Sequence, residues 1–365
     1  TPRGGTEAVA LSSSVAHGGS HSLAVTGRTQ SWNAPVVSVL DRFELGVNYR
    51  VSVWVRLAEG EADTTAKLTV ERRLDGTPSY EGLTGGTPVS ADGWTRISGT
   101  YTLATDVDFL KIYVETPGVE DFFVDDVLVT YLPTLPVQTD KPSLKDEFKD
   151  YWPITGAAVS LPETIGAHAT LLTKHFNSVT PGNAMKWDSV ERVKGVKTYQ
   201  EADRIVEFAQ ENGIGVYGHV LAWHSQMPDW VFQDDEGNEL PFNAQSKQLV
   251  LDRLEEHIRD EAGRYKGKVY AWDVVNEVIS DEPDETYRPS KYYRYTGLDF
   301  IRTAFRVARE TDPDAQLCIN DYNSTDPGKR EKYFWLVKQL LAEGVPVDCV
   351  GHQMHVHMDG PPAAE

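Results

Sequence analysis

The chain has 365 residues, of which 40% are hydrophobic and 25% charged, so it is long enough to bury the cores of two domains. Its 55 acidic and 35 basic residues give a formal net charge of -20, which argues against nucleic acid or an anionic membrane surface as a partner. The sequence contains no apolar run long enough to span a membrane, and no secretory signal opens it, so such a signal was removed or never present.

Residues 1–132 alternate short apolar strands with turns rich in Gly, Pro, Asp and Ser. The predicted strands are His21–Gly27, Tyr49–Leu57, Ala66–Arg73, Trp94–Leu103, Phe109–Thr116 and Phe122–Tyr131. Their period-two alternation predicts an antiparallel β-sandwich of the jelly-roll type, as the first domain of a multidomain chain. Residues 133–143, which begin with a proline-containing segment, are predicted to be a linker.

Residues 144–365 alternate apolar strands with amphipathic helices. The predicted helices are Glu201–Asn212, Lys247–Tyr265, Leu298–Glu310 and Gly328–Glu343. The predicted strands are Ile154–Val159, Phe176–Thr180, Ile214–Val220, Val269–Val275, Gln316–Asn320 and Val347–Met354. This order predicts a parallel sheet with helices outside, whose closed form is the (β/α)8 TIM barrel. About six βα units are present, and two strands would be missing.

Polar side chains follow the carboxyl ends of successive predicted strands, which is where barrels of this kind place their active sites. The candidates are Asn183, Lys186, His219, Trp223, His224, Gln226, Asn276, Glu277, Tyr322, Gln353 and His355. Polar residues at the same end of five successive strands indicate a site. By contrast, the segment Asp281–Glu285 is interpreted as an acidic loop after the fourth predicted strand, with no part in the chemistry.

Glu277 is the candidate for chemistry, because it directly follows the apolar strand Val269–Val275 and Asn276. A carboxylic acid kept protonated in a partly desolvated setting can donate its proton to a leaving glycosidic oxygen. In a regular strand Asn276 and Glu277 would point to opposite faces, so both reach one site only if the strand ends or bulges there. The alternative is a salt-bridged carboxylate at a strand end.

The two cysteines, Cys318 and Cys349, lie in apolar strand-like runs. Neighbouring strands would allow a disulfide between them, and two buried thiols are the equally weighted alternative. The sequence leaves the redox compartment open.

Several motifs of the second half together resemble glycoside hydrolase family ten, the retaining endo-β-1,4-xylanases. They are Asn183–Asp188, Gly218–His219, Trp223–Gln226, Trp272–Glu277, Asn320–Asn323 and Gly351–His355. The resemblance implies that Glu277 is the general acid/base. It implies that Lys186, His219, Trp223, Asn276, Gln353 and His355 hold the sugar at the cleavage point, with Asn183 and Gln226 one subsite further from the reducing end and Tyr322 on the leaving-group side.

Two departures from the family pattern accompany this resemblance. Many members carry a glutamate at the position of Gly182, so hydrogen bonding to the second sugar is expected to be altered. The family nucleophile is a glutamate on the seventh strand, and it is expected beyond residue 365. A C-terminal fragment or missing segment would therefore be the partner that completes the barrel.

The first half resembles the family twenty-two carbohydrate-binding modules, which bind xylan. The resemblance implies that Arg3, Trp32, Tyr80, Tyr113 and Glu115 contact the ligand, with Trp32 and Tyr80 stacking on xylose rings. Related modules often hold a structural calcium, for which Glu7 and Asp126 are the candidates. No cofactor is expected for catalysis.

The leading hypothesis is a secreted, extracellular two-domain xylanase that acts on xylan and xylo-oligosaccharides by a retaining double displacement. A xylan-binding protein without catalysis is the rival, because this chain by itself lacks the nucleophile. A β-1,4-glucanase is the third reading, because one fold serves several sugars.

Overall fold

The computed structural model describes residues 1–74, 76–133 and 136–355. The chain divides into two compact units, Thr1–Thr139 with Ile165–His168, and Asp140–Thr164 with Ala169–Glu365. The predicted linker includes residues 134 and 135 and the predicted barrel domain includes residues 356–365, and these positions lie outside the described residues. In the described part of the chain, none of the helices has both the length and the apolar character that a bilayer crossing requires.

The first unit contains two antiparallel sheets, as the alternation predicts. The strands are β1 (Ala8–Ser12), β2 (Ser22–Thr26), β3 (Val36–Ser38), β4 (Asn48–Leu57), β5 (Thr64–Leu74), β6 (Thr77–Gly82), β7 (Thr87–Val89), β8 (Thr95–Thr102), β9 (Phe109–Glu115) and β10 (Phe122–Leu132). One sheet has the order β1-β2-β10-β4-β8, and the other has the order β3-β9-β5-β6 with β7 paired to β5. The sequence analysis missed β1, β3, β6 and β7, because these strands are short and β6 contains both Pro and Gly.

Alternate residues of both sheets form one buried core. Val51 and Val53 of β4, Leu68 of β5 and Ile112 of β9 all belong to it. Because side chains alternate along a strand, the neighbours of Leu68 and Ile112 point to the opposite face of their sheet. That outer face of β5 and β9 carries the candidate binding residues.

The second unit contains a six-stranded sheet in the order β11-β12-β13-β14-β15-β16. Its strands are β11 (Gly156–Val159), β12 (Ser178–Pro181), β13 (Gly215–Trp223), β14 (Val269–Asn276), β15 (Gln316–Asp321) and β16 (Cys349–His352). All five neighbouring pairs are parallel, which confirms the predicted parallel sheet. Strand β13 continues to Trp223, so His219 lies inside the strand rather than at its predicted end.

Helices alternate with these strands along the chain. They are α1 (Leu144–Glu147), α2 (Gly166–His175), α3 (Trp187–Val190), α4 (Gln200–Glu211), α5 (Ala244–Arg264), α6 (Lys291–Thr296), α7 (Asp299–Thr311) and α8 (Pro327–Ala342). Two of the long helices begin at side-chain caps: the Asn243 side chain accepts the N–H of Ser246, and the Asp326 side chain accepts the N–H of Lys329. Such caps satisfy backbone donors that the first turn leaves unpaired.

Cys318 of β15 and Cys349 of β16 face each other in the parallel register. Their Cα atoms are 4.5 Å apart, and the two residues form a disulfide. Of the two alternatives that the sequence leaves open, the structure has the bonded one.

Candidate active site

The backbone at Glu277 leaves the regular strand. The β14–β15 register shifts between Asp273 and Val275, and Glu277 itself has a φ of 58°. Its N–H donates to the carbonyl of Asn320 at 2.8 Å. The strand thus ends at Asn276, and this change of direction brings Asn276 and Glu277 to the same site, which a regular strand would not do.

The carboxyl group of Glu277 is held from two sides by neutral donors. Trp223 Nε1 donates to Oε2 at 2.9 Å, and Gln353 Nε2 donates to Oε1 at 3.0 Å. Trp223 is the last residue of β13, and Gln353 directly follows β16, so both donors come from strand ends. A strand-end carboxylate in a salt bridge would instead have a cationic partner, and the geometry therefore favours the acid over the ion-pair reading.

A buried amide network lies beside the acid. Asn276 is 2% exposed, and its Oδ1 accepts hydrogen bonds from Asn320 Nδ2 at 2.9 Å and Gln353 Nε2 at 3.1 Å. A Cβ at Gly351 would lie 2.4 Å from Oδ1 of Asn320. Only glycine at this position leaves room for Asn320 to reach Asn276. Strand β16 thus contributes to the site because Gly351 has no side chain.

His219 is oriented by Asp273, a residue that the sequence analysis did not select. His219 Nδ1 lies 2.8 Å from Asp273 Oδ2, and Tyr217 Oη donates to the other oxygen of Asp273 at 2.7 Å. A carboxylate on one ring nitrogen fixes the orientation of an imidazole and leaves Nε2 for a ligand. Asp273 stands inside the motif Trp272–Glu277, and that motif was the signal in the sequence.

Asn183, Lys186 and Gln226 form a closed polar triangle. Lys186 Nζ donates to Asn183 Oδ1 at 3.0 Å and to Gln226 Oε1 at 2.5 Å, and Gln226 Nε2 donates to Asn183 Oδ1 at 3.1 Å. Burial lowers the pKa of Lys186, although Asp188 and Glu277 oppose the shift. These side chains can exchange their mutual hydrogen bonds for bonds to sugar hydroxyls.

His224 and His355 have different surroundings. Burial lowers the pKa of His224, Arg288 lowers it further, and Glu277 opposes them. The Nδ1 atom of His224 is buried and has no hydrogen-bond partner among the residues that the structure describes. His355 is exposed, and its Nε2 lies 3.0 Å from Gln353 Oε1. His355 thus reaches the acid through Gln353, whereas His224 belongs to its desolvated side.

Tyr322 belongs to a charged cluster that includes Asp281. The Tyr322 hydroxyl donates to Asp281 and accepts from Arg288 Nη2 at 2.6 Å. Lys329 Nζ lies 3.5 Å from the centre of the Tyr322 ring and 2.8 Å from Asp281. Asp281 is exposed and lies in the acidic loop that the sequence predicts, and its carboxylate also contacts Tyr322 directly after β15.

A cleft on the outer face of β5 and β9, hereafter the sandwich cleft, has a volume of about 590 Å³. Its lining residues are Arg3, Trp32, Lys67, Thr69, Glu71, Tyr80, Gly82, Tyr113 and Glu115. All five residues that the sequence selects for this module are among them. Lys67, Thr69 and Glu71 were missed, although their spacing along the predicted strand Ala66–Arg73 places them on one face.

Aromatic and charged groups line different parts of the sandwich cleft. Trp32 and Tyr80 are 41% and 56% exposed and offer faces for stacking, whereas Tyr113 is 3% exposed and forms the floor. The Arg3 guanidinium lies 4.1 Å from the centre of the Tyr113 ring and pairs with Glu71 at 3.2 Å. Burial and the nearby carboxylate of Glu115 raise the pKa of Tyr113. The cleft therefore combines stacking walls with a neutralised polar floor.

The two calcium candidates do not share a site. Glu7 precedes Ala8, which pairs with Thr26, and Asp126 lies beyond Val124, which pairs with Leu23. At about 3.4 Å per residue, this register keeps their carboxyl groups more than about 10 Å apart, whereas ligands of one calcium lie within about 5 Å of each other. The carboxylate of Asp126 instead contacts Nδ1 of His17. Among the residues that the structure describes, no three His, Cys, Asp or Glu side chains form a metal-binding group.

A parallel β/α sheet that gathers a candidate acid, histidines and several amides at the carboxyl ends of its strands has its polar groups where β/α-barrel enzymes place their active sites. Residues 143–365 match the model of glycosyl hydrolase family 10, and the chain belongs to this family. Residues 1–121 match the model described as a carbohydrate binding domain. The two halves of the chain thus match separate family models.

Relatives with known names carry the same pairing or its second half. The endo-1,4-beta-xylanase A of Thermotoga neapolitana is 38% identical over 376 residues, which cover 98% of this chain and 34% of that protein. The beta-1,4-xylanase of Dictyoglomus thermophilum is 49% identical over 214 residues, which cover 59% of this chain and 57% of that protein.

The crystal structure of xylanase B from Clostridium stercorarium F9 has a similar fold. It is 44% identical with a TM-score of 0.58, and the match covers 61% of this chain and 67% of that one. The chain spans only about a third of the length of the Thermotoga relative, 34%.

Proposed function

We propose that the protein is an endo-1,4-β-xylanase that hydrolyses internal β-1,4-xylosidic bonds with retention of configuration and binds xylan through its sandwich cleft. The observation that carries the proposal is the Glu277 carboxyl group, which two neutral N–H donors hold at the mouth of the parallel sheet. Membership of glycosyl hydrolase family 10 supports it. The cleft, with its exposed Trp32 and Tyr80, supports the binding role.

In the proposed mechanism Glu277 acts twice. As a carboxylic acid it gives its proton to the glycosidic oxygen while a second carboxylate attacks the sugar carbon, and as a carboxylate it then takes a proton from the water that releases the sugar. The donors Trp223 and Gln353 keep the carboxyl group in one orientation through both steps. The second carboxylate would lie about 5 to 5.5 Å from the first, and we place it on a barrel strand that follows residue 365.

The surrounding side chains would hold the substrate rather than react with it. Lys186, Asn183 and Gln226 offer donors and acceptors for the hydroxyls of one sugar, and His219 and Asn276 offer them at the cleavage point. Tyr322 would face the sugar on the leaving-group side. Because the two carboxyl groups supply both the acid and the nucleophile, the proposed reaction uses no cofactor.

We also propose that the complete barrel has eight βα units and that the protein acts outside the cell on xylan and xylo-oligosaccharides. The disulfide between Cys318 and Cys349 supports an oxidising compartment. The net charge of -20 disfavours an anionic polymer such as nucleic acid and is compatible with a neutral polysaccharide.

The first test combines an intact mass with an activity assay on the same sample of the full-length protein. Xylan hydrolysis would be followed by reducing ends, and the anomer released first would be read by proton NMR. We expect the β-anomer from a retaining enzyme. A protein that binds xylan but releases no reducing ends would instead be the non-catalytic xylan binder, and faster hydrolysis of cello-oligosaccharides than of xylan would indicate the β-1,4-glucanase.

A further inference from the structure

We infer that Arg288 is a positioning residue for the acid/base: one guanidinium group holds the backbone of Glu277 and the hydroxyl of Tyr322 at the same time. Proton donor and leaving-group subsite are thereby fixed relative to each other. This inference rests on the proposed function, since it concerns the same site, and it adds a residue to which neither the motifs nor the resemblance gave a role.

The loop after the acid closes on itself and brings Arg288 back beside Glu277. The N–H of Arg288 donates to the carbonyl of Val278 at 2.8 Å, and the N–H of Ser280 donates to the carbonyl of Thr286 at 3.2 Å. Ile279 and Tyr287 form an antiparallel bridge between these bonds. Residues 277 and 288 are therefore neighbours in space although they are eleven positions apart in the sequence.

The guanidinium group divides its donors between three partners. Nε donates to the backbone carbonyl of Glu277 at 2.9 Å, and Nη2 donates to Tyr322 Oη at 2.6 Å and to Asp281 Oδ2 at 3.2 Å. The side chain is 22% exposed. The planar fork of arginine can serve such partners together, whereas the single ammonium group of a lysine cannot reach all of them with the same geometry.

Glu277 needs this support because of its backbone conformation. A φ of 58° is left-handed and unfavourable for a residue with a side chain, so the surrounding structure must hold it there. The Asn320 carbonyl holds the N–H of Glu277, and Arg288 holds its carbonyl oxygen. Removal of the hydrogen bond from Arg288 lets the peptide group after Glu277 rotate, and the carboxyl group of Glu277 then moves away from the glycosidic oxygen.

The charges around Arg288 favour a positioning role over direct binding of an acidic ligand. Lys329 is 4% exposed and pairs with Asp281 at 2.8 Å and with Asp321 at 2.9 Å. The cluster therefore holds two cations and two carboxylates, and the positive charge of Arg288 is neutralised within it. Burial works to lower the pKa of Arg288, but Tyr322, followed by the carboxylates of Asp281 and Asp321, raises it above its ordinary value, so the guanidinium remains charged.

The test uses substrates that differ in their need for a proton, measured on the full-length protein. A dinitrophenyl β-xylobioside loses its phenolate without acid assistance, whereas a phenyl β-xylobioside and xylan need it. For Arg288→Met we expect kcat/KM to fall about 10- to 100-fold on the phenyl substrate and on xylan, and less than about 3-fold on the dinitrophenyl substrate. For Arg288→Lys we expect a smaller fall in kcat/KM, again larger on the phenyl substrate and xylan than on the dinitrophenyl substrate. This second variant allows the test if Arg288→Met folds poorly.

The matched control is Arg294→Met, because Arg294 is an exposed arginine on the neighbouring helix α6. It should change kcat/KM on both aryl substrates by less than about 2-fold, as expected for a surface substitution. An equal fall in kcat/KM of the Arg288 variants on both aryl substrates would show that Arg288 is only a structural residue. No fall in kcat/KM on either substrate would also overturn the inference. If the wild-type protein had no activity on any of these substrates, the proposed xylanase function itself would be overturned. An Arg288 effect that is equal on both substrates would overturn only the inference about Arg288.

Discussion

The sandwich cleft and the site around Glu277 both display tryptophan, acids and cations, but they hold the acids differently. In the cleft Glu71 pairs with Arg3 and Glu115 pairs with Lys67. At the strand ends Glu277 accepts hydrogen bonds from a tryptophan and a glutamine. The acids of the cleft therefore have cationic partners, whereas the candidate acid of the barrel has neutral ones. This difference in partners separates the proposed binding site from the proposed catalytic site.

The largest effect should follow from Glu277→Gln. The amide keeps the volume of the side chain but cannot supply a proton, so xylan hydrolysis by the full-length protein should fall by about 10² to 10⁴-fold. Xylan affinity of the sandwich cleft, measured by calorimetry, should not change. Glu282→Gln in the following loop is the control, and an equal loss of activity in that variant would remove the distinction between the two acids.

A smaller loss, in binding alone, should follow from Trp32→Ala. The indole face is 41% exposed in the cleft, and loss of an aromatic anchor costs about 2 kcal/mol, or roughly 30-fold in affinity. Affinity of the 365-residue chain for xylohexaose would be measured by calorimetry. The exposed Tyr131 on β10 provides the matched control, Tyr131→Ala. Equal losses from both substitutions would place binding outside the cleft.

The third prediction concerns pH and a buried pair in the second unit. Burial lowers the pKa of His257 to about 3 and raises the pKa of Glu261 well above its usual value, so the folded pair keeps one proton over a wide range. The unfolded pair holds two protons below about pH 4.3, one up to about pH 6.5 and none above. Stability should therefore be highest between these values and fall on both sides, by up to about 1.4 kcal/mol per pH unit.

Glu261→Gln tests this prediction because it removes one titrating group and keeps the shape. The neutral His257 then remains alone, so stability should fall as the pH drops below about 6.5, and the loss above that pH should disappear. Urea unfolding would be followed by tryptophan fluorescence, to which Trp187 contributes because it stacks on His257 at 3.9 Å. Identical slopes above pH 6.5 in both proteins would show that the pair does not hold the proton.

The smallest effect should follow from Lys67→Met at the rim of the cleft. Its ion pair with Glu115 is 3.1 Å long, but the Lys67 side chain is 47% exposed. Exposed pairs contribute about 0 to 1 kcal/mol, so affinity for xylohexaose should change by less than about 5-fold. Calorimetry at low and high salt would check this, and a loss as large as that of Trp32→Ala would make charge rather than stacking the basis of binding.

Much of both sites could be predicted from the sequence, for different reasons. In the sandwich, strand parity alone groups Tyr113 with Glu115, and the same rule would have added Lys67 and Glu71. In the barrel, the strand-end rule gathers Asn183, Trp223, Glu277 and Gln353 although they lie far apart in the chain.

What the sequence did not predict depends on local backbone geometry and long-range closure. Three such features do not appear as a periodic pattern in the sequence. They are the left-handed backbone of Glu277, the return of the loop at Arg288 and the close approach of Gly351 to Asn320. The separation of the two calcium candidates, Glu7 and Asp126, follows from the strand register, which the sequence alone does not give.

The disulfide between Cys318 and Cys349 has a practical consequence for limited proteolysis. The bond spans a sequence separation of 31 residues, and helix α8 lies entirely inside this covalent loop. A protease that cuts α8 once therefore leaves two fragments joined, and a non-reducing gel shows them at the mass of the uncut chain. Only electrophoresis after reduction separates the fragments and reveals the nick.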